Sequence, residues 1–276
     1  MKKMRRFFSV LMIGTLSLVV LSGMSAVFGM EGSADEWEID PALEVPKPVV
    51  QSGDYGYQIN DDNETVTIAE YYGSDQDIVI PEELDGYVVT AIGYQAFTYL
   101  EMKSLTIPET VESIGMRAFE YCTISKQLVL PEQITVMGDA FSYALLPQVV
   151  SIPDGAVLKD DAFSYNEKME ILCIGSGVTV GESAFGYSEE LAAVVIADGT
   201  LLEDDAFEYT DSLEQVVLCG DVQMEGEPFS YCKQAKISQA GADDYAIVME
   251  ALQSGTDDSE KTDASDGLKP HGWFNQ

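Results

Sequence analysis

The dipeptide Ala-Phe recurs at residues 96–97, 118–119, 140–141, 162–163, 184–185 and 206–207, and Pro228-Phe229 carries the series one step of 22 further. A tyrosine follows two positions after each Phe, from Tyr99 and Tyr121 through to Tyr209 and Tyr231. A period in the twenties that holds without drift leaves few folds open. A unit of that length cannot bury an apolar face alone, so neighbouring units must stack and share one core. The expected architecture is a repeat solenoid of about seven such units.

Within a unit the pattern is consistent. A short alternating apolar stretch comes first, as in Leu105-Thr-Ile107, Val150-Ser-Ile152, Leu172-Cys-Ile174 and Val194-Val-Ile196. Inward positions two apart predict a short strand, and stacked units make the strands parallel. Pro108, Pro131 and Pro153 end the strand in three units. A second apolar residue (Ile92, Ile114, Val136, Leu158, Val180, Leu202 or Met224) then precedes Ala-Phe. The Ala-Phe-x-Tyr piece is too short for an independent helix and is expected to form a short helical turn. Stacking sets each Phe about 5 Å above the next, the spacing between strands. The tyrosines either line the core with their hydroxyls at its edge or form an exposed ladder.

The run Leu105-Thr-Ile-Pro-Glu-Thr-Val-Glu-Ser-Ile-Gly-Met-Arg-Ala-Phe-Glu-Tyr-Cys122 resembles the BspA-type leucine-rich repeat of bacterial surface proteins. Tyr57-Gln-Ile59, Val66-Thr-Ile68 and Ile78-Val-Ile-Pro81 are similar to that family's entry hairpin, and the resemblance spans roughly residues 54–240. It implies a curved leucine-rich-repeat stack on an exported bacterial protein, used for adhesion or protein binding, with no catalytic residues. The chain departs from the pattern in places. Met137, Lys159, Glu203 and Glu225 replace the Gly kept at Gly93, Gly115 and Gly181. The family's frequent Cys after the aromatic turn survives as Cys122 and Cys232, five units apart. Cys173 falls on a strand and Cys219 on a turn two units later, so four free thiols are expected.

Residues 1–30 carry four basic residues, an apolar run from Phe7 to Val20 and small residues up to Gly29, the order of an export signal. Cleavage after Gly29 or Ala34 fits, and an uncleaved N-terminal anchor is the alternative. Residues 31–53 are expected to be a disordered acidic leader. Residues 241–253 are expected to form a helical cap, with the helix running from Asp243 to Gln253, and residues 254–276 a disordered tail. That tail shows no sorting motif and no hydrophobic run, so free secretion or non-covalent retention at a bacterial surface is expected.

The chain holds 48 acidic against 14 basic residues, for a net charge of −34. Such a surface repels phosphate backbones and anionic lipid, which argues against nucleic-acid or membrane-surface roles. His271 is the only histidine and lies in the tail, so the folded part has no base for a Ser-His or Cys-His nucleophile. Cysteines and histidine are not clustered for zinc. The chain is therefore expected not to be an enzyme.

Two surfaces remain. Strand residues two and four before the Pro position face outward, and from the third unit onward they are unusually apolar. Val129, Val149, Ile171, Cys173, Ala193, Val195 and Val217 form a candidate protein-binding strip, unless the leader or tail folds over it. Carboxylates just before the Phe turn, Asp160, Asp161, Asp204 and Asp205 among them, would stack within about one strand spacing. Calcium would relieve their repulsion, and a solvated acidic edge is the alternative. Two functions follow: a non-catalytic binding module for a protein or host-surface component, or a structural envelope or matrix element rigidified by calcium.

Overall fold

The computed structural model describes residues 47–249. The expected export signal, leader residues 31–46, residues 250–253 of the expected helix and the tail lie outside the described residues.

The stack opens with an antiparallel meander, β1 (Val50–Ser52), β2 (Tyr55–Ile59) and β3 (Thr65–Tyr71). Its first strand lies inside the segment expected to be leader. After β4 (Asp77–Val79) and β5 (Glu83–Leu84), β6 (Tyr87–Ile92) pairs in parallel with β3 and starts the repeat. The expected strands form one column. β7 (Glu101–Thr106) and β9 (Thr123–Val129) join β4 in one sheet. β11 (Val149–Ile152), β13 (Ile171–Ile174), β15 (Ala193–Ile196), β17 (Gln215–Cys219) and β19 (Lys236–Ala240) form another.

The second apolar residue of each unit proves to sit on a strand too. β8 (Ser113–Ile114), β10 (Thr135–Val136), β12 (Val157–Leu158), β14 (Thr179–Val180), β16 (Leu201–Leu202) and β18 (Gln223–Met224) continue the sheet that begins in the entry meander. Their register is 22 residues per step, as in Thr135 against Val157 and Val180 against Leu202. Two-residue strands are too short to stand out by alternation, so only the stacking reveals them.

The aromatic turn forms a third column and corrects the expected helical turn. Each repeat tyrosine has φ between 52° and 63°, and Gln95, Arg117, Asp139, Asp161, Ser183 and Asp205, four residues earlier, have φ of 54–59°. Left-handed residues on both sides of Ala-Phe stop a helix from propagating. The backbone bonds explain why this conformation wins. Phe97, Phe119, Phe141 and Phe163 donate their N–H to the carbonyls of Ala118, Ala140, Ala162 and Ala184 in the next unit, each at 2.8 Å. Phe207 does the same to Pro228 at 2.8 Å. The Ala position must supply a carbonyl to its neighbour, and Pro228 still can.

Inside these three columns lies the core. Phe97, Phe119, Phe141, Phe163, Phe185 and Phe207 are fully buried, with successive ring centroids 4.7–5.4 Å apart. Tyr71 of β3 stacks on Phe97 at 5.2 Å, so the entry meander closes the aromatic column at that end. The position where the family's Cys is expected has its own task. There Asn166, Thr210 and Cys232 donate side-chain hydrogen bonds to the carbonyls of Phe141, Phe185 and Phe207 in the unit before. All four cysteines are free, and Cys122, Cys173 and Cys219 are buried. Burial in apolar surroundings pushes the Cys122 and Cys173 thiols up to about 12, so they behave as small apolar side chains.

Truncating a ring in the middle of the column removes contacts on both faces. Phe141→Ala is expected to cost about 3–5 kcal/mol in urea unfolding. At Tyr143 the backbone conformation is tested separately. Tyr143→Gly, which accepts the left-handed φ, is expected to be more stable than Tyr143→Ala by about 1 kcal/mol.

Candidate interaction face

Strand alternation sends Leu172, Ile174, Val194, Ile196, Val216 and Leu218 into the core, where all are buried. The alternate residues point to the other side of the strand column. Val129 is 37% exposed there, and Val149, Ile171 and Ala193 are half-buried. Cys173, Val195 and Val217 are buried, which corrects the expectation that they are open to a partner. For Val195 and Val217 the cause is the chain from the end of β19 onward. It forms a 3-10 turn at Ala242–Asp244 and a helical run over residues 245–249. Tyr245, Val248 and Ala240 pack against Val195, Val217 and Cys219. Burial raises the Tyr245 phenol above its usual range, with further contributions from the nearby Cys173, Asp154 and Cys219. The C-terminal segment thus lies on the strand face. On the last rung Met224, Tyr231 and Ile237 remain 40–57% exposed.

The strand column is broken between β9 and β11. Farther along, Glu170 and Ile171 both donate to the carbonyl of Gln148, Ala192 and Ala193 to that of Glu170, and Glu214 and Gln215 to that of Ala192, at 2.8–3.2 Å. Gln148 holds the same place in its own unit, yet its N–H makes no backbone bond to the unit before. Only a single bridge, Thr123 to Leu145, joins the two units on this column. The break falls where the unit changes form. β7 and β9 begin within two residues of the repeat tyrosine, whereas β13, β15 and β17 begin about six residues after it. Pro147, with no N–H to give, stands at the changeover. The result is a cleft of about 490 Å³ lined by Thr123, Ser125, Lys126, Leu145, Leu146, Pro147, Gln148, Val149 and Lys168. Sequence alternation missed it, and the one available signal was a proline before Val149 where the next two units carry Met169 and Leu191.

The tyrosines form one continuous stack from Tyr99 to Tyr231, with centroids 4.3–5.1 Å apart and planes within 21°. The ladder reading of the sequence holds, and none of these tyrosines joins the buried core. The ring faces pack on one another, while Tyr99, Tyr121, Tyr143, Tyr209 and Tyr231 are 39–71% exposed.

The acidic residues beside this ladder do not converge. Asp161 and Asp205 occupy one column two units apart, with Ser183 between them. Asp160 and Asp204 lie in the adjacent column, and both are exposed. Asp204 Oδ1 accepts the Glu227 N–H at 2.7 Å and lines a hollow of about 500 Å³ with Asp205, Glu227 and Tyr231. Among the described residues no group of three His, Cys, Asp or Glu side chains is placed to hold a metal ion. Asp161 is the one carboxyl among the described residues whose surroundings favour its protonated form. Partial burial raises its pKa above the usual 3.8, and Asp139, Asp160 and Glu208 add to the shift.

These features define a repeat scaffold built on strands and turns, with a partly covered strand face. The profile of the BspA type leucine rich repeat region matches residues 90–214 and 139–236, with six copies, and the chain belongs to that family. Among solved structures, a leucine rich cell surface protein of Faecalibacterium prausnitzii is 25% identical, with a TM-score of 0.56. The match covers 72% of this chain and 56% of that one, so the chain spans little more than half of that relative. A leucine rich repeat protein of T. pallidum is 22% identical with a TM-score of 0.58, over 74% of this chain and 94% of that one, and shows the shared fold. No curated protein matches the chain. Among the described residues no helix is long and apolar enough to cross a membrane.

The raised pKa of Asp161 fixes the sign of a pH effect. Folding favours its protonated form, a contribution fully present below the unfolded pKa and lost as pH rises through the folded one. Near pH 7 its charge therefore costs stability, so Asp161→Asn is expected to raise the melting temperature there. Near pH 3 the two proteins should melt together. Calcium is expected to raise the wild-type melting temperature no more than magnesium at equal ionic strength.

Proposed function

We propose that this chain is a non-catalytic protein-binding module, secreted or held at a bacterial cell surface, and that it binds through the uncovered half of its strand face. The observation that carries this reading is the strip formed by Val149, Ile171 and Ala193, in register across three successive units, with Val129 exposed on the far side of the break. These side chains keep apolar surface open in a chain of net charge −34, where solubility alone favours charge. Among the described residues, the C-terminal segment packs on the neighbouring Val195, Val217 and Cys219 and not on these. A recognition site with a dry centre and an acidic rim fits that arrangement. Membership of a family with a cell-surface relative supports the location. The fold carries the proposal that the module is non-catalytic, since its columns are filled by packing and backbone pairing.

A structural role in an envelope or matrix is the second reading, and one feature favours it. The last rung leaves Met224, Tyr231 and Ile237 exposed at an edge strand, which is suited to pairing with a further copy. The two readings separate experimentally. Wild-type protein and the double variant Val149→Asp/Ile171→Asp are presented to surface extracts and also run by analytical ultracentrifugation. A binding module retains a discrete protein that the double variant loses at least tenfold, while both proteins sediment as monomers. Equal retention by a folded double variant rejects the strip as the site. Concentration-dependent assembly of both proteins favours the structural role.

A further inference from the structure

The cleft at the break in the strand column has a composition unlike the rest of the molecule. The chain carries 48 acidic and 14 basic residues, yet the cleft lining has two lysines, Lys126 and Lys168, and no carboxylate. Neither lysine forms an ion pair among the described residues, where the salt bridges are those of Lys47 and Arg117. Both are exposed, and their surroundings add further donors: the hydroxyls of Thr123 and Ser125 and the Gln148 N–H that the break leaves without a partner in the preceding unit. On the adjoining strand entry, Glu170 accepts a hydrogen bond from the Gln148 side-chain amide at 2.7 Å. The floor is apolar, with Leu146 and Pro147 buried and Leu145 half-buried.

We propose that this cleft receives an acidic segment of a partner protein, with a carboxylate held by Lys126, Lys168 and the free Gln148 N–H and an adjoining apolar side chain laid on Leu145 and Pro147. The proposal rests on the strand face being a protein-binding surface, because Val149 belongs both to the cleft and to the apolar strip. Three arguments favour a peptide over an anionic sugar. Four of the nine lining residues are apolar, an unpaired backbone amide suits a carboxylate or carbonyl of another chain, and the cleft is continuous with an apolar strip. In a chain of this charge a pair of free ammonium groups also acts as a selectivity device. Elsewhere an acidic partner is repelled, so charge steers its acidic segment to this one place.

The geometry of the break is tested without any ligand. In hydrogen exchange of the free protein, the Gln148 amide is expected to exchange at least tenfold faster than those of Glu170, Ala192 and Glu214. Equal protection removes the free donor and overturns the proposed mode of binding. The ligand chemistry is tested with a displayed library of random heptapeptides sorted on the full chain and on Lys126→Glu/Lys168→Glu, with hyaluronan as a carboxylate-bearing sugar arm. Peptides enriched on the wild type should carry Asp or Glu beside an apolar residue, and the charge-reversed variant should bind them at least tenfold more weakly. Added salt should weaken them further. Failure to enrich acidic peptides, binding that survives charge reversal, or retention of hyaluronan in their place each overturns the proposal. Ile171→Asp lies outside the cleft lining. If it abolishes partner capture but leaves acidic-peptide binding intact, the strip and the cleft have failed or succeeded independently.

Discussion

The fixed rise between units depends on backbone bonds that cross from one unit to the next at the aromatic turn. An isolated Ala-Phe-x-Tyr segment has too few internal bonds to hold a helical turn. In the stack each Phe N–H finds the carbonyl of the next unit, and each repeat Tyr from Tyr99 to Tyr209 does likewise, at 2.8–3.2 Å. This repeats at the strand spacing, so it also sets the distance between like side chains. The Phe rings then meet at about the separation favoured by offset-stacked aromatics. Left-handed conformations at non-glycine residues cost roughly 1–2 kcal/mol each. The chain accepts two of them in most units because the inter-unit bond and the stacked ring offset that cost together.

How much of this was visible beforehand depends on the range of the interaction. The 22-residue period, the Phe column and the inward strand residues come from repetition, which a sequence displays directly. The helical reading of the aromatic turn failed because local propensity was weighed against nothing but local bonds. The competing partner lay 22 residues away. The two-residue strands escaped for a related reason, since a pair such as Ser113-Ile114 has no alternation to read. Val149, Ile171 and Ala193 are half-buried on the strand face, yet Val195 and Val217 beside them are covered by a segment from the end of the fold. Alternation assigns a side chain to a face of a strand. It does not say what later returns to cover that face.

Like charges pose a particular problem for a stack, because any acidic position recurs about 5 Å away if the repeat is strict. The chain relaxes the repeat in one of two acidic columns. Asp139, Asp161 and Asp205 share a column in which Ser183 interrupts the series, whereas Asp160, Glu182 and Asp204 follow one another in the column beside it, between Gly138 and Gly226. Arg117 pairs with Asp139 at 3.2 Å at the start of the series. Asp161 retains an unfavourable environment despite this spacing, which is why its protonated form is favoured. The acidic positions thus vary from unit to unit where the Phe and Ala positions hardly do.

Three columns hold the stack, and they do not share the work equally. Between the units of β9 and β11 the short-strand column continues without a gap, since β10 pairs with both β8 and β12. The aromatic column also continues, with Phe119, Phe141 and Phe163 at 4.7–4.8 Å. The strand column alone opens. Two intact columns suffice to keep the pitch, so the third is free to depart from the repeat without parting the fold. Such a departure is where an otherwise uniform scaffold acquires a position unlike its neighbours, and here it brings together two lysines and an amide that have no partner among the described residues, beside the exposed apolar strip. The regularity that makes the fold legible therefore also explains why its irregular step is the better place to look for specificity.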